Sequence, residues 1–166
     1  MDKCAAIDTH VVLGYISGIG PHKGALKILR EALRFALIVP PSTLADLEIS
    51  QDCENVLVKS YGADAISAIE DGVFEPYVLA DEADTRIVES RVENLLNAHA
   101  IEGAKPGDLR VLVEAAYMRC DLLLTTNPIL TDADADHLQG VLLQWDVHPI
   151  IIRTSAQILN FPTFRE

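Results

Sequence analysis

Asp8 ends the apolar start of CAAIDTHVVLGYI, Glu48 lies in STLADLEIS, Asp108 follows Pro106 and Gly107, and DLLLTTN ends in Thr125, Thr126 and Asn127. Taken singly, Asp8 is an ordinary turn or cap residue and Asp108 an ordinary helix-start charge. Gathered at one place, carboxylates repel one another and resist ionising unless a cation compensates them. Three of them from separate segments, with an amide beside them, would make a site for a hard cation.

The elements around these residues must bring them together. Apolar runs bounded by turn signals predict strands at Cys4–Ile7, 35–39, Leu122–Leu124 and 149–152, with a weaker one at 73–79. Helical spacing links Leu26, Leu29, Leu33 and Ala36; Val88, Val92, Leu95, Leu96 and His99; and Leu109, Leu112, Val113, Ala116 and Tyr117. Strands alternating with helices predict an α/β fold whose parallel sheet is covered on both faces. In open sheets of this kind, ligands bind outside the carboxyl ends of the strands. Asp8 and residues 125–127 share that edge if their strands run parallel. Glu48 lies about a turn and a half into the helix that starts there after the second strand. Asp108 reaches the edge only if the N-terminus of its helix points to it.

Local signals refine the picture. Thr43 stands three residues before Asp46 as in a capping box, with Ser42 as the competing cap, and Thr154 stands in the same relation to Gln157. Leu44, Leu47 and Ile49 around Glu48 predict a helix largely covered by apolar neighbours, where a carboxylate needs a reason. His99 falls on an apolar helical face and is expected in the core.

The 166 residues, 49% of them hydrophobic, suit a single domain over 1–166 with a sizeable core. No run of 18 apolar residues occurs, and MDKC lacks the basic-then-apolar layout of a secretory signal. A soluble, cytoplasmic protein with no membrane partner is expected. Cys4, Cys53 and Cys120 are widely spaced, without a Cys-x-x-Cys pair, and read as reduced thiols. The net charge of −12 argues against a broad electrostatic grip on nucleic acid and leaves room for a local basic rim. Two other motifs fail. GYISGIGPHKG has Lys23 where a dinucleotide loop needs its third glycine, and is expected to be a flexible connection. A calcium loop starting at Asp132 of TDADADHLQG would need glycine and glutamate where His137 and, beyond that stretch, Leu143 stand.

The surviving motifs resemble those of PIN-domain nucleases. IDTHVV is similar to the family's opening motif, LADLEI to its helix with a central glutamate, GDLRVLVEAA to its helix-opening aspartate and LLLTTN to its closing Thr-x-Asp. Their order and spacing agree from Asp8 to Asn127. The resemblance implies a three-layer α/β/α sandwich with a mainly parallel sheet, and metal-dependent cleavage of phosphodiesters, usually in single-stranded RNA. Many members are VapC-type toxins inhibited by an antitoxin. The resemblance makes Asp8, Glu48 and Asp108 the expected ligands of Mg2+ or Mn2+, Thr125 a hydroxyl that orients the site, and Asn127 its amide. Lys105 and Arg110 are the expected phosphate contacts. An antitoxin and a second copy of the chain are the expected protein partners.

Asn127 departs from the aspartate that many members carry. It offers a carbonyl oxygen without charge, and Asp132 or Asp134 in the following loop would be the substitutes. Together with the acidic surface, this departure keeps a second class of function open: a PIN-fold binding or scaffold protein without catalysis.

Overall fold

The computed structural model describes residues 2–160. Strand β1 (Cys4–Ile7) runs into helix α1 (Thr9–Ser17), α2 (His22–Lys27) and a π-helical turn (Ile28–Ala32), then β2 (Ala36–Val39). Helices α3 (Pro41–Gln51) and α4 (Val56–Glu70) precede the short β3 (Glu75–Pro76). The second half comprises α5 (Glu82–Asn97), α6 (Pro106–Tyr117), β4 (Leu122–Leu124), α7 (Pro128–Thr131), α8 (Ala135–Gln144), β5 (Ile151–Arg153) and α9 (Ser155–Leu159).

All strand pairs are parallel and the order is β3-β2-β1-β4-β5. Alternation along β1 and β4 divides the interior in two. Ala6 and Leu123 face a cluster with Val88, Val92, Leu95, Leu109 and Leu112. Ala5, Ile7, Leu122 and Leu124 face another with Val11, Val12, Leu26, Leu29, Leu47 and Phe74. A strand covered on both sides has to be apolar at consecutive positions, which is why these runs do not alternate with polar residues. The result is the expected α/β/α sandwich.

The chain moves from β1 outward to β2 and β3, then returns to the other side of β1 with β4. The β1–β4 pair is therefore the switch point of the sheet, where the connections diverge and leave a crevice at the carboxyl edge. Ile7 pairs with Leu124, so Asp8 and Thr125 are the next residues out on neighbouring strands.

Several local expectations change. GYISGIGPHKG is not a flexible connection throughout: α1 begins immediately after Asp8, and Gly18, at φ 71°, supplies its left-handed C-terminal cap. Ala36 belongs to β2, not to the preceding helical face. The strand at 73–79 shrinks to two residues. His99 lies beyond α5 with φ 50° and is exposed, because that helix ends before its apolar stripe would reach it. The capping box at Thr154 and Gln157 is present.

Candidate active site

Asp8 is held from three directions at the carboxyl edge. Its N–H donates to the carbonyl of Leu124 at 3.0 Å, its Oδ1 caps α1 by accepting the Thr9 N–H at 2.8 Å, and its Oδ2 accepts the Thr125 hydroxyl at 2.6 Å. Its role as a helix cap and its candidacy as a ligand are compatible, since a carboxylate has about four lone-pair sites. Thr125 is fully buried, and its Oγ1 also accepts the Asn127 N–H at 3.1 Å. One hydroxyl thus ties Asp8 to the backbone leading into α7.

Asp108 reaches the same edge because α6 runs antiparallel to the strand it leads into. Its Oδ2 accepts the Lys105 N–H at 2.8 Å, closing the first turn of α6, and its Oδ1 accepts Nδ2 of Asn127 at 2.7 Å. The other amide atom of Asn127, Oδ1, accepts the Ile129 N–H at 3.1 Å and caps α7. That cap fixes the amide orientation. Asn127 therefore presents a donor to Asp108, while one lone pair of its carbonyl oxygen is engaged by the backbone.

Asp8, Asp108 and Asn127 line one cleft of about 390 Å³ together with Ser42, Asp46, Gly107, Arg110 and Val111. The acid that α3 contributes is Asp46, not Glu48. Thr43 and Leu47 are the buried positions of that helix, Ser42 and Asp46 lie one turn apart on the cleft side, and Glu48, exposed like Asp46, does not line the cleft. Two residues advance a helix by about 200°, so Glu48 is turned well away from Asp46. The apolar cover expected around Glu48 is only partial: Leu47 is buried and Leu44 packs against the core, but Ile49 is exposed. Asp46 Oδ2 accepts the Thr9 hydroxyl at 2.9 Å, which links α3 to the first turn after Asp8.

The start of α3 also differs from expectation. The helix begins with Pro41 at its first position, and the preceding Pro40 offers no side-chain cap. Buried Glu114 of α6 takes that place: its Oε2 accepts the Ser42 N–H at 3.0 Å and the Ser42 hydroxyl at 2.7 Å. Burial pushes the Glu114 carboxyl above its ordinary range, an effect opposed by the two Ser42 hydrogen bonds and by Arg110. The hydroxyl of Thr43, expected to cap the helix, is buried without a hydrogen-bond partner.

Of the two expected phosphate contacts, Arg110 lines the cleft, 4.0 Å from Glu89, whereas Lys105 is exposed and absent from the lining. Asp132 and Asp134 do not substitute for a missing acid. They line a separate cavity of about 590 Å³ with His99, Glu102 and His137, and Asp134 caps α8 by accepting the His137 N–H at 2.7 Å.

The crystal structure of VapBC2 from Rickettsia felis bound to a DNA fragment from their promoter superimposes with a TM-score of 0.61, over 91% of this chain and 98% of that one. The fold is that of a VapC-like PIN domain. Sequence identity is 12%, so the likeness concerns fold alone. No family model and no curated protein matches the sequence.

Within this PIN-like fold, the cleft's donors suit a hard divalent cation: carboxylates from β1, α3 and α6 at one edge, without sulfur or imidazole in the lining. Among the described residues, no three His, Cys, Asp or Glu side chains are gathered closely enough to hold a metal by themselves. That arrangement does not suit an all-protein cage. It does suit magnesium, which keeps several waters and takes only one or two carboxylates together with substrate phosphate oxygens. The three cysteines are free, and among the described residues no helix is long and apolar enough to cross a membrane.

Proposed function

We propose that this chain is a divalent-metal-dependent ribonuclease acting on single-stranded RNA, as the toxin of a toxin and antitoxin pair. The observation that carries the reading is the convergence of Asp8, Asp46 and Asp108 on one cleft at the switch point of a VapC-like PIN fold. Asp8 and Asp108 are the proposed ligands of Mg2+ or Mn2+, and Asp46 acts directly or through water. When bound, such a cation supplies Lewis-acid charge beside a phosphodiester and lowers the pKa of a water. Thr125 and Thr9 hold Asp8 and Asp46 by donated hydrogen bonds. Asn127 steadies Asp108 from its amide side. Arg110 on the cleft wall is placed to receive a backbone phosphate, where a guanidinium can pair in a bidentate manner.

A protein partner is part of the proposal. Ile49, Val56, Leu57 and Val58 are exposed within ten residues around the turn joining α3 to α4, a local concentration of apolar surface that suits an antitoxin or a second copy of the chain. A cytoplasmic setting is part of the same proposal.

One observation favours the rival reading, a PIN-fold scaffold without catalysis. Asp8, Asp46 and Asp108 already accept hydrogen bonds, and the neutral Asn127 sits where it satisfies Asp108 without adding charge. The deciding experiment incubates purified, antitoxin-free protein with labelled single-stranded RNA in manganese, magnesium or chelator, beside the Asp108→Asn variant. Cleavage with metal that is lost in Asp108→Asn supports the ribonuclease. Manganese binding without cleavage of any RNA supports the scaffold.

A further inference from the structure

Glu114 is buried, yet it does not line the cleft. Leaving such a carboxylate without partners would be costly, and its hydrogen bonds all go to one residue, Ser42 of α3. Oε2 accepts both the N–H and the hydroxyl of Ser42, and Oε1 lies 3.2 Å from the same N–H. Because α3 starts with Pro40 and Pro41 and has no side-chain cap of its own, this is the side-chain acceptor for its first turn. Ser42 and Asp46 are separated by one helical turn and both line the cleft, while Arg110, one turn before Glu114 on α6, lines it from the opposite helix.

We infer that Glu114 is a positioning residue: by clamping Ser42, it fixes the rotation of α3 about its axis and thereby aims Asp46, not Glu48, into the cleft. The clamp connects α6, which carries Asp108, to α3, which carries Asp46. Two of the three site carboxylates are thereby set in one frame, and Asp46 meets the third segment through Thr9. The inference rests on the proposed site. Its clamp is testable without metal or substrate.

The test uses the intact chain labelled for NMR as wild type, Glu114→Gln, Glu114→Ala and Ser42→Ala. Glutamine keeps an acceptor for Ser42, whereas alanine removes it. Expected in Glu114→Ala are at least a tenfold loss of hydrogen-exchange protection at Ser42 and Thr43, and shifted signals for the Asp46 carboxyl and for Thr9. Glu114→Gln should return both most of the way to wild type, and α5 and α8 should be unchanged throughout. If Glu114→Ala does not fold, Ser42→Ala supplies the comparison: it removes the hydroxyl bond and keeps the N–H bond, so smaller Asp46 and Thr9 shifts in the same direction are expected. Unmoved Asp46 and Thr9 signals in a folded Glu114→Ala or Ser42→Ala variant, or a Glu114→Gln variant as displaced as alanine, would overturn the inference. Manganese titration of the same samples separates this from the site reading: failure of wild type to bind overturns the site, whereas tight binding retained by Glu114→Ala overturns the clamp.

Discussion

Two acidic regions of this molecule have similar compositions and different surroundings. Around α7 and α8, Asp132, Asp134, Asp136 and Glu102 are exposed, and the hydrogen bond to Asp134 is a local helix cap. At the β1–β4 edge, Asp8, Asp46 and Asp108 come from three distant segments and are fixed by Thr125, Thr9 and Asn127. The sheet makes the difference. Strand ends and helix starts meet at the switch point, so carboxylates there, the exposed Asp46 included, are tied to other segments, whereas the bond to Asp134 stays within the first turn of its own helix.

Cleavage assays offer the largest contrast. Asp8→Asn should lower manganese-dependent cleavage by about 100-fold or more, the scale on which removing one preorganised electrostatic group slows catalysis. Asp134→Asn, which keeps a capping side chain, should leave the rate within about twofold of wild type. Similar losses in both variants would erase the distinction between the regions. A smaller effect is expected inside α3: Asp46→Asn should cost about tenfold in rate, the equivalent of about 1.4 kcal/mol, and Glu48→Gln should be close to neutral. A larger loss from Glu48→Gln would restore the sequence-based assignment.

The difference between Asp46 and Glu48 shows what was legible in the sequence and what was not. Asp8 and Asp108 were readable because a strand end and a helix start are local features, marked by the apolar run before Asp8 and by Pro106. Thr125 followed from its strand in the same way. Choosing between two acids in one helix requires the helical phase, and α3 mixes buried Thr43 with exposed Ile49, so its apolar residues do not define a face. Its true start at Pro41 was hidden by the more familiar cap signal at Thr43. Glu114 lies in a helix that is almost continuously buried from Leu109 to Ala116, and only the approach of Ser42 from another element explains it. His99 was misplaced because apolar spacing does not report where a helix ends. Helices α4 and α8 lay outside the segments that periodicity identified.

Stability measurements sharpen the comparison further. The folded state holds the Glu114 proton more tightly than the unfolded chain does, because burial raises its pKa. Its contribution is therefore fullest below the unfolded glutamate value of about 4.3, declines as pH rises towards the folded value, and is level above it. Urea melts across that window should show less of this decline in Glu114→Gln. An identical slope in both proteins would mean that the carboxyl does not titrate as its burial implies. The smallest expected effect belongs to the loop: Asp134→Ala should cost about 1 kcal/mol through loss of the α8 cap and leave the cleft unaffected.

Manganese is paramagnetic and broadens NMR signals from nuclei near it, so its location can be read residue by residue. Added to the labelled wild-type chain, it should first extinguish the amides of Asp8, Thr9, Asp46, Gly107 and Asp108 while leaving residues 132–137 sharp. Broadening centred on Asp132, Asp134 and His137, or uniform broadening over the acidic surface, would contradict the assignment of the cation site to the β1–β4 edge.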